Sequence, residues 1–157
     1  MMANRAPANR VRPGRMSAGA IALLVMAGCA SVNEVTARES TLIGPTWQLA
    51  TVQQGDALTR LSPEQSAQHT ITFVVHDQAQ LKLACNTGTA VWTASVMRRT
   101  LRIGGIGSTK MMCPEPQIAT TMMTALPGSN LYSVAADGHT LTIQAKTATF
   151  TFRDAAS

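Results

Sequence analysis

Several short segments between Trp47 and Arg153 alternate apolar and polar side chains, and this alternation is the strongest constraint on the fold. The apolar members of the clearest segments are Ile71, Phe73 and Val75; Leu81, Leu83 and Cys85; Leu101 and Ile103; Leu141, Ile143 and Ala145; and Ala148, Phe150 and Phe152. A period of two gives a strand one buried face and one solvent-exposed face. Turn-forming residues separate the segments at positions 54–56, 77–78, 86–88, 98–99 and 137–138. The pattern predicts a mainly β chain, a single antiparallel β-barrel-like domain over residues 45–154 with about eight strands.

One segment departs from the period of two. Ile118, Met122, Ala125 and Leu126 recur at helical spacing, with prolines before them and Pro127-Gly128 after them. This predicts one packed helix at about residues 115–126, whose methionines fill the core rather than bind a metal. A weaker signal predicts a short helix at residues 62–66.

The first 29 residues have the composition of an export signal. Four arginines precede an uncharged stretch of small and apolar residues over residues 17–28, and Cys29 follows it. A dozen or so residues are too few to span a ~30 Å hydrocarbon layer but fit the core of a signal peptide. The residues before Cys29 are similar to the lipobox of bacterial lipoproteins, which implies cleavage after residue 28 and acylation of Cys29. The alternative is an ordinary secretory leader cut nearby.

Two further expectations follow from this likeness. Ala30, rather than Asp, follows the cysteine, which implies lipid anchoring in the outer membrane, facing the periplasm. Residues 29–44 are mostly small and polar, and they are predicted to form a lipidated, flexible tether.

Charge distribution excludes nucleic acid as a partner. The leader holds four of the thirteen basic residues and none of the acids, so that the chain from Cys29 onward has a net charge of +1. A domain this close to neutral lacks the basic surface that a phosphate backbone requires.

Two cysteines remain after Cys29, and an exported domain favours their pairing. Cys85 and Cys113 both lie on the apolar phase of their segments, so a disulfide is predicted to join two interior-facing sulfurs. Two buried free thiols are the alternative. The three histidines are not spaced as paired ligands, so no metal site or cofactor is predicted, and each histidine is expected at the surface.

No catalytic motif is evident in the sequence. The acids are scattered, and the glycines at positions 104, 105 and 107 lack the residues of a phosphate-binding loop. These glycines are expected at a bulge or a tight bend. Ser108 and Thr109 are interpreted as structural hydrogen-bonding residues, although a hydrolase with Ser108 as nucleophile stays open as a third hypothesis.

The chain over about residues 44–153 resembles the META domain, also called the HslJ-like domain, and the segment from Ala84 to Pro114 carries most of the resemblance. The resemblance rests on Cys85-Asn86, a glycine-rich strand at Gly104, and the signature Ser-Thr-x-Met-x-Cys-Pro, and it extends to an early tryptophan. The signature-matching residues are Trp47, Asn86, Gly104, Ser108, Thr109, Met111 and Pro114. The family often has Gly where this chain has Ala84. The resemblance implies a β-barrel-like domain with one packed helix, frequent on envelope proteins and without established enzymatic activity.

Two functional hypotheses follow besides the hydrolase. The first is a non-enzymatic outer-membrane lipoprotein that binds an envelope protein or a small ligand, or supports the envelope under stress. The second is a periplasmic inhibitor of a hydrolase, similar in general design to lysozyme inhibitors, for which the loop at residues 97–100 is the candidate contact.

Overall fold

The computed structural model describes residues 41–157, so the predicted signal peptide, Cys29 and most of the predicted tether lie outside the described residues. Within that range the chain forms ten strands and two helices. In chain order they are β1 (Thr46–Gln54), β2 (Ala57–Arg60), α1 (Pro63–Ala67), β3 (His69–Val74), β4 (Gln78–Leu83), β5 (Asn86–Ser95), β6 (Thr100–Ile103), β7 (Gly107–Ser108), α2 (Gln117–Ala125), β8 (Gly128–Val134), β9 (Thr140–Gln144) and β10 (Thr149–Asp154).

Eight of the strands close into an antiparallel barrel. They follow the order β1-β3-β4-β5-β6-β8-β9-β10, and β10 pairs back with β1 to complete the ring. The short strands β2 and β7 lie outside this ring and pair with β1 and β5. The β1–β10 register shifts between Leu49 and Thr51, at a bulge that bends the strand. The prediction of a mainly β, barrel-like domain with one substantial helix is confirmed.

Large side chains fill the interior of the barrel. Residues without solvent exposure include Trp47, Phe73, Phe150 and Phe152. Phe73 contacts Trp92 edge to face at 4.9 Å between ring centroids. The packed region also begins earlier than Pro45, because Leu42 is fully buried within the stretch predicted to be tether. Its carbonyl accepts a hydrogen bond from Trp47 Nε1 at 3.1 Å.

Two strand ends differ from the prediction. Val75 lies in the turn between β3 and β4 and is exposed, because β3 ends at Val74 and the next residues, His76 and Asp77, have positive φ. The turn predicted at residues 86–88 is also wrong. These residues begin β5, and the turn is the two-residue connection Ala84-Cys85, with Leu83 paired to Asn86. Ala84 adopts φ +59°, a conformation that suits glycine, the residue the family often has there.

Both helices lie where the sequence predicts them, α1 one residue later than 62–66 and α2 within residues 115–126. Ser62 caps α1, accepting from the Gln65 N–H while the Gln65 side chain accepts from the Ser62 N–H. The pKa of the exposed Glu64 is lowered, because its carboxylate accepts hydrogen bonds from the Ser62 hydroxyl and from the backbone N–H of Glu64 itself. Helix α2 buries Ala119, Met122 and Ala125 against the same core.

No helix among residues 41–157 is long and apolar enough to cross a membrane.

Candidate functional site

The side chain of Asn86 joins the start of β5 to the loop that follows β7. Its Oδ1 accepts from the Met111 N–H at 2.7 Å and from the Thr109 hydroxyl at 2.9 Å. Its Nδ2 donates to the Met111 carbonyl at 3.0 Å. Thr109 also exchanges two bonds with Thr87, one through its hydroxyl and one through its backbone N–H. Asn86 thereby satisfies the polar groups of a loop that lacks regular pairing.

A disulfide between Cys85 and Cys113 fastens the same loop to the β4–β5 turn. The predicted pairing is confirmed, but the prediction that both sulfurs face the interior is wrong. Cys85 is exposed and Cys113 is half-buried, because β4 ends at Leu83 and Cys85 occupies the turn rather than the next inward position. The bridge therefore lies at the surface, beside the Asn86 hydrogen bonds.

Of the remaining signature residues, Ser108 and Gly104 make structural contacts near this cluster. Ser108 donates from its hydroxyl to Met123 Sδ in α2 at 3.7 Å. Gly104 leaves room for β5, since a Cβ there would lie 2.7 Å from Val91 Cγ2. Trp47 belongs to the barrel core and not to the cluster. Met111 is exposed, as is its neighbour Met112, which is 99% accessible.

A surface cavity of about 410 Å³ lies against the disulfide. Its walls come from α1 and the residue that follows it, from β3 and β4, and from the segment before α2. The lining residues are Gln65, Gln68, His69, Lys82, Ala84, Cys85, Cys113, Pro114 and Glu115. Gln65 Nε2 donates to Glu115 Oε2 at 3.3 Å across one edge. The cavity thus combines a cation, a carboxylate, amide groups and a disulfide.

His69 departs from the expectation of a surface histidine, since it is only 3% exposed. Its Nδ1 lies 2.7 Å from the Gln65 carbonyl, which can only accept, so Nδ1 carries a proton. Its Nε2 is buried without a hydrogen-bond partner among residues 41–157. The expectation fails because His69 takes an inward position at the start of β3, where Ile71 and Phe73 also face the core.

A second cavity, of about 480 Å³, lies elsewhere on the barrel. Its lining includes Val96, Arg99 and Tyr132, together with residues 133–136 and Gly138. It is larger than the cavity beside the disulfide, but it contains none of the signature residues. Within residues 41–157, no three His, Cys, Asp or Glu side chains lie together in a way that could hold a metal ion.

Most of the residues that line the cavity beside the disulfide could not be predicted from the sequence. Gln65, Lys82 and Glu115 lie far apart in the chain and carry no motif, and they come together only because α1 and the segment before α2 lie against the β3–β4 hairpin. The weak signal for a short helix at residues 62–66 includes Gln65, but it does not indicate that this residue lies near Lys82 or Glu115.

The geometry defines a class of protein: a small, closed antiparallel barrel with one packed helix and a disulfide that fastens a signature loop at the surface. The sequence model of the META domain matches residues 40–157. The chain belongs to the META domain family. No curated protein matches the chain.

Solved structures share the fold at low sequence identity. A protein from Burkholderia xenovorans, solved by NMR, superposes with a TM-score of 0.61 at 20% identity, over 92% of this chain and 99% of that one. A second NMR structure gives 0.58 at 19% identity, over 74% of this chain and 93% of that one. A DUF4847 family protein from Bacteroides vulgatus gives 0.52 at 15% identity, over 74% of this chain and 96% of that one.

Proposed function

We propose that this protein is a non-enzymatic lipoprotein of the outer membrane, anchored through acylated Cys29, whose META domain binds an envelope protein or a small ligand. The anchor rests on the arginine-rich start, the apolar core and the small residues before Cys29. Acyl chains bury methylenes at about 0.8 kcal/mol each, so two or three of them would hold the domain stably.

The packed interior of the barrel supports binding at the outer surface of the domain. Trp47, Phe73, Phe150 and Phe152 occupy the barrel, and a barrel filled by its own side chains offers its outer surface to a partner. The cavity beside the disulfide supplies polar groups of both charges, Lys82 and Glu115, within a recess that the signature loop helps to form. Concave sites with a few convergent polar groups are the usual binding sites of proteins.

The loop geometry favours this proposal over the inhibitor hypothesis. Ser95 pairs with Thr100, so residues 96–99 form a four-residue hairpin turn. Met97 is 85% exposed at this turn. An inhibitor that fills an active site needs a protruding loop, whereas a turn of this length stays close to the sheet.

The test is affinity capture from envelope extract with three forms of the full-length protein. The cavity variant combines Lys82→Ala with Glu115→Ala, and the control combines Asp56→Ala with Lys146→Ala, exposed residues that do not line the cavity. We expect the wild type and the control to recover the same partner, and the cavity variant to recover it at least about tenfold less, since each lost charge contact weakens binding. Equal recovery by the cavity variant, or no specific recovery by the wild type, would contradict an envelope-protein partner at this cavity. Exposed substitutions of this kind change stability by only about 0.5 kcal/mol, which a melting curve checks.

A further inference from the structure

The two sulfurs of the disulfide have different surroundings. The backbone N–H of Cys85 and the Nδ2 of Asn86 both donate to Cys113 Sγ, each at 3.2 Å. The Sγ of Cys85 is 3.9 Å from the same Nδ2. The Met111 carbonyl is farther from Cys113 Sγ than either donor, at 3.8 Å. Cys113 Sγ therefore sits in a small set of N–H donors, and Cys85 belongs to the exposed side of the bridge.

These hydrogen bonds favour thiol–disulfide exchange in which Cys85 is attacked and Cys113 leaves. A disulfide sulfur is a weak acceptor, whereas a thiolate is a charged and much stronger one. The two donors therefore stabilise Cys113 more strongly when it leaves as a thiolate than they do in the intact bridge. A better-stabilised leaving thiolate speeds exchange, and attack is directed at the accessible sulfur.

The cavity beside the bridge gives an attacking thiol a place to bind. Both cysteines line it, and Lys82 and Glu115 lie on its walls. A small peptide-like thiol carries carboxylates and an ammonium group, which these two side chains complement. The cavity volume of about 410 Å³ accommodates such a molecule.

We propose that the Cys85–Cys113 bridge is a thiol-exchange site for low-molecular-weight thiols, with Cys85 as the attacked sulfur and Cys113 as the leaving thiolate. The incoming thiolate forms a new bond to Cys85 Sγ with its own electron pair. The bond between the two cysteine sulfurs breaks, and its electron pair stays on Cys113, where the Cys85 N–H and the Asn86 amide hold the charge. The product is a mixed disulfide on Cys85 and a thiolate on Cys113. This inference goes beyond the proposed binding function and does not depend on it.

The test uses the oxidised full-length protein in detergent with reduced glutathione, followed by quenching with excess alkylating agent and peptide mass spectrometry. We expect glutathione on Cys85 and the alkyl group on Cys113, at a rate that rises in proportion to the glutathione concentration. Glutathione on Cys113, or on both cysteines equally, would overturn the proposal. A rate that does not depend on glutathione concentration would overturn it as well, because reduction would then follow unfolding.

A pair of variants separates the chemistry from the stability of the loop. Asn86→Asp keeps an acceptor for the Thr109 hydroxyl and the Met111 N–H, but it replaces Nδ2, the donor to Cys113 Sγ and to the Met111 carbonyl, with a negative oxygen. We expect the exchange rate to fall about tenfold, since a hydrogen bond to a charged group is worth more than a neutral one. Thr109→Val removes two neighbouring bonds, one to Asn86 Oδ1 and one from the Thr87 N–H, and leaves both donors to Cys113 in place, so its rate should stay within about twofold of wild type. Equal rates for Asn86→Asp and wild type would contradict the assigned donor.

Discussion

Trp47→Ala is expected to lower the free energy of unfolding by about 3–5 kcal/mol, as is typical when a fully buried aromatic residue becomes alanine. The side chain has no solvent exposure and lies on β1, the strand that pairs with both β3 and β10 to close the barrel. The change opens a cavity among large neighbours that relax only in part. It also removes the Nε1 donor from the Leu42 carbonyl and leaves that acceptor without its partner.

Trp47→Phe is the matched control. It retains most of the buried ring and loses the N–H, so we expect a smaller loss of about 1–3 kcal/mol. Urea unfolding followed by circular dichroism measures both variants without relying on tryptophan fluorescence. A loss below about 1 kcal/mol for Trp47→Ala would contradict the role of this residue in the core.

Removing the disulfide by Cys85→Ser with Cys113→Ser is expected to cost about 3–4 kcal/mol on the chain-entropy model. The bridge closes a sequence separation of 28 residues and restricts the unfolded chain accordingly. Because it lies at the surface, its replacement by serine leaves no hole in the core, and the barrel should persist. Circular dichroism should therefore keep its β character while the midpoint of urea unfolding falls.

Reductant provides the control for this variant. The wild type in excess reductant should unfold at nearly the same urea concentration as the double serine variant, and reductant should leave the variant unchanged. Equal stability of the wild type with and without reductant, together with two reactive thiols in the unfolded, unreduced protein, would contradict the bridge.

The period of two in the sequence predicts the barrel strands well because these strands face water on one side only, unlike the fully exposed β2. In β3, β4 and β10 the buried and exposed positions alternate as the apolar pattern indicates. The closure of β10 on β1 has no such signal. It joins residues about a hundred positions apart, and its pairing depends on the curvature of the whole sheet.

The predictions for Cys85 and Gly88 fail because they depend on where a strand ends. Cys85 continues the apolar phase of Leu81 and Leu83, yet the chain turns at Ala84, and the cysteine lies at the surface. A turn with alanine at positive φ lacks the glycine that normally marks such a turn in a sequence. Gly88, which was interpreted as part of a turn, lies within β5, where a Cβ would meet Leu83 Cδ1 at 2.9 Å. The glycine there serves close packing.

The candidate site is predicted only in part, because it too lies outside the regular strands. The pairing of Cys85 with Cys113 follows from the cysteine count, and the signature around Asn86 follows from the family resemblance. The hydrogen bonds of Asn86 and the asymmetry of the two sulfurs depend on an irregular loop, whose path no period describes. His69 likewise has a partner, the Gln65 carbonyl, only because α1 ends against β3.

The lipid anchor is tested by mass spectrometry of the amino-terminal peptide, taken from protein isolated with outer membranes. We expect the chain to begin at Cys29 and to carry acyl chains there, with residues 1–28 removed. Cys29→Ser is the control, and it should leave either unprocessed precursor or protein released from the membrane. An unmodified mature terminus at a different residue, with Cys29→Ser fractionating as the wild type does, would contradict the lipid anchor.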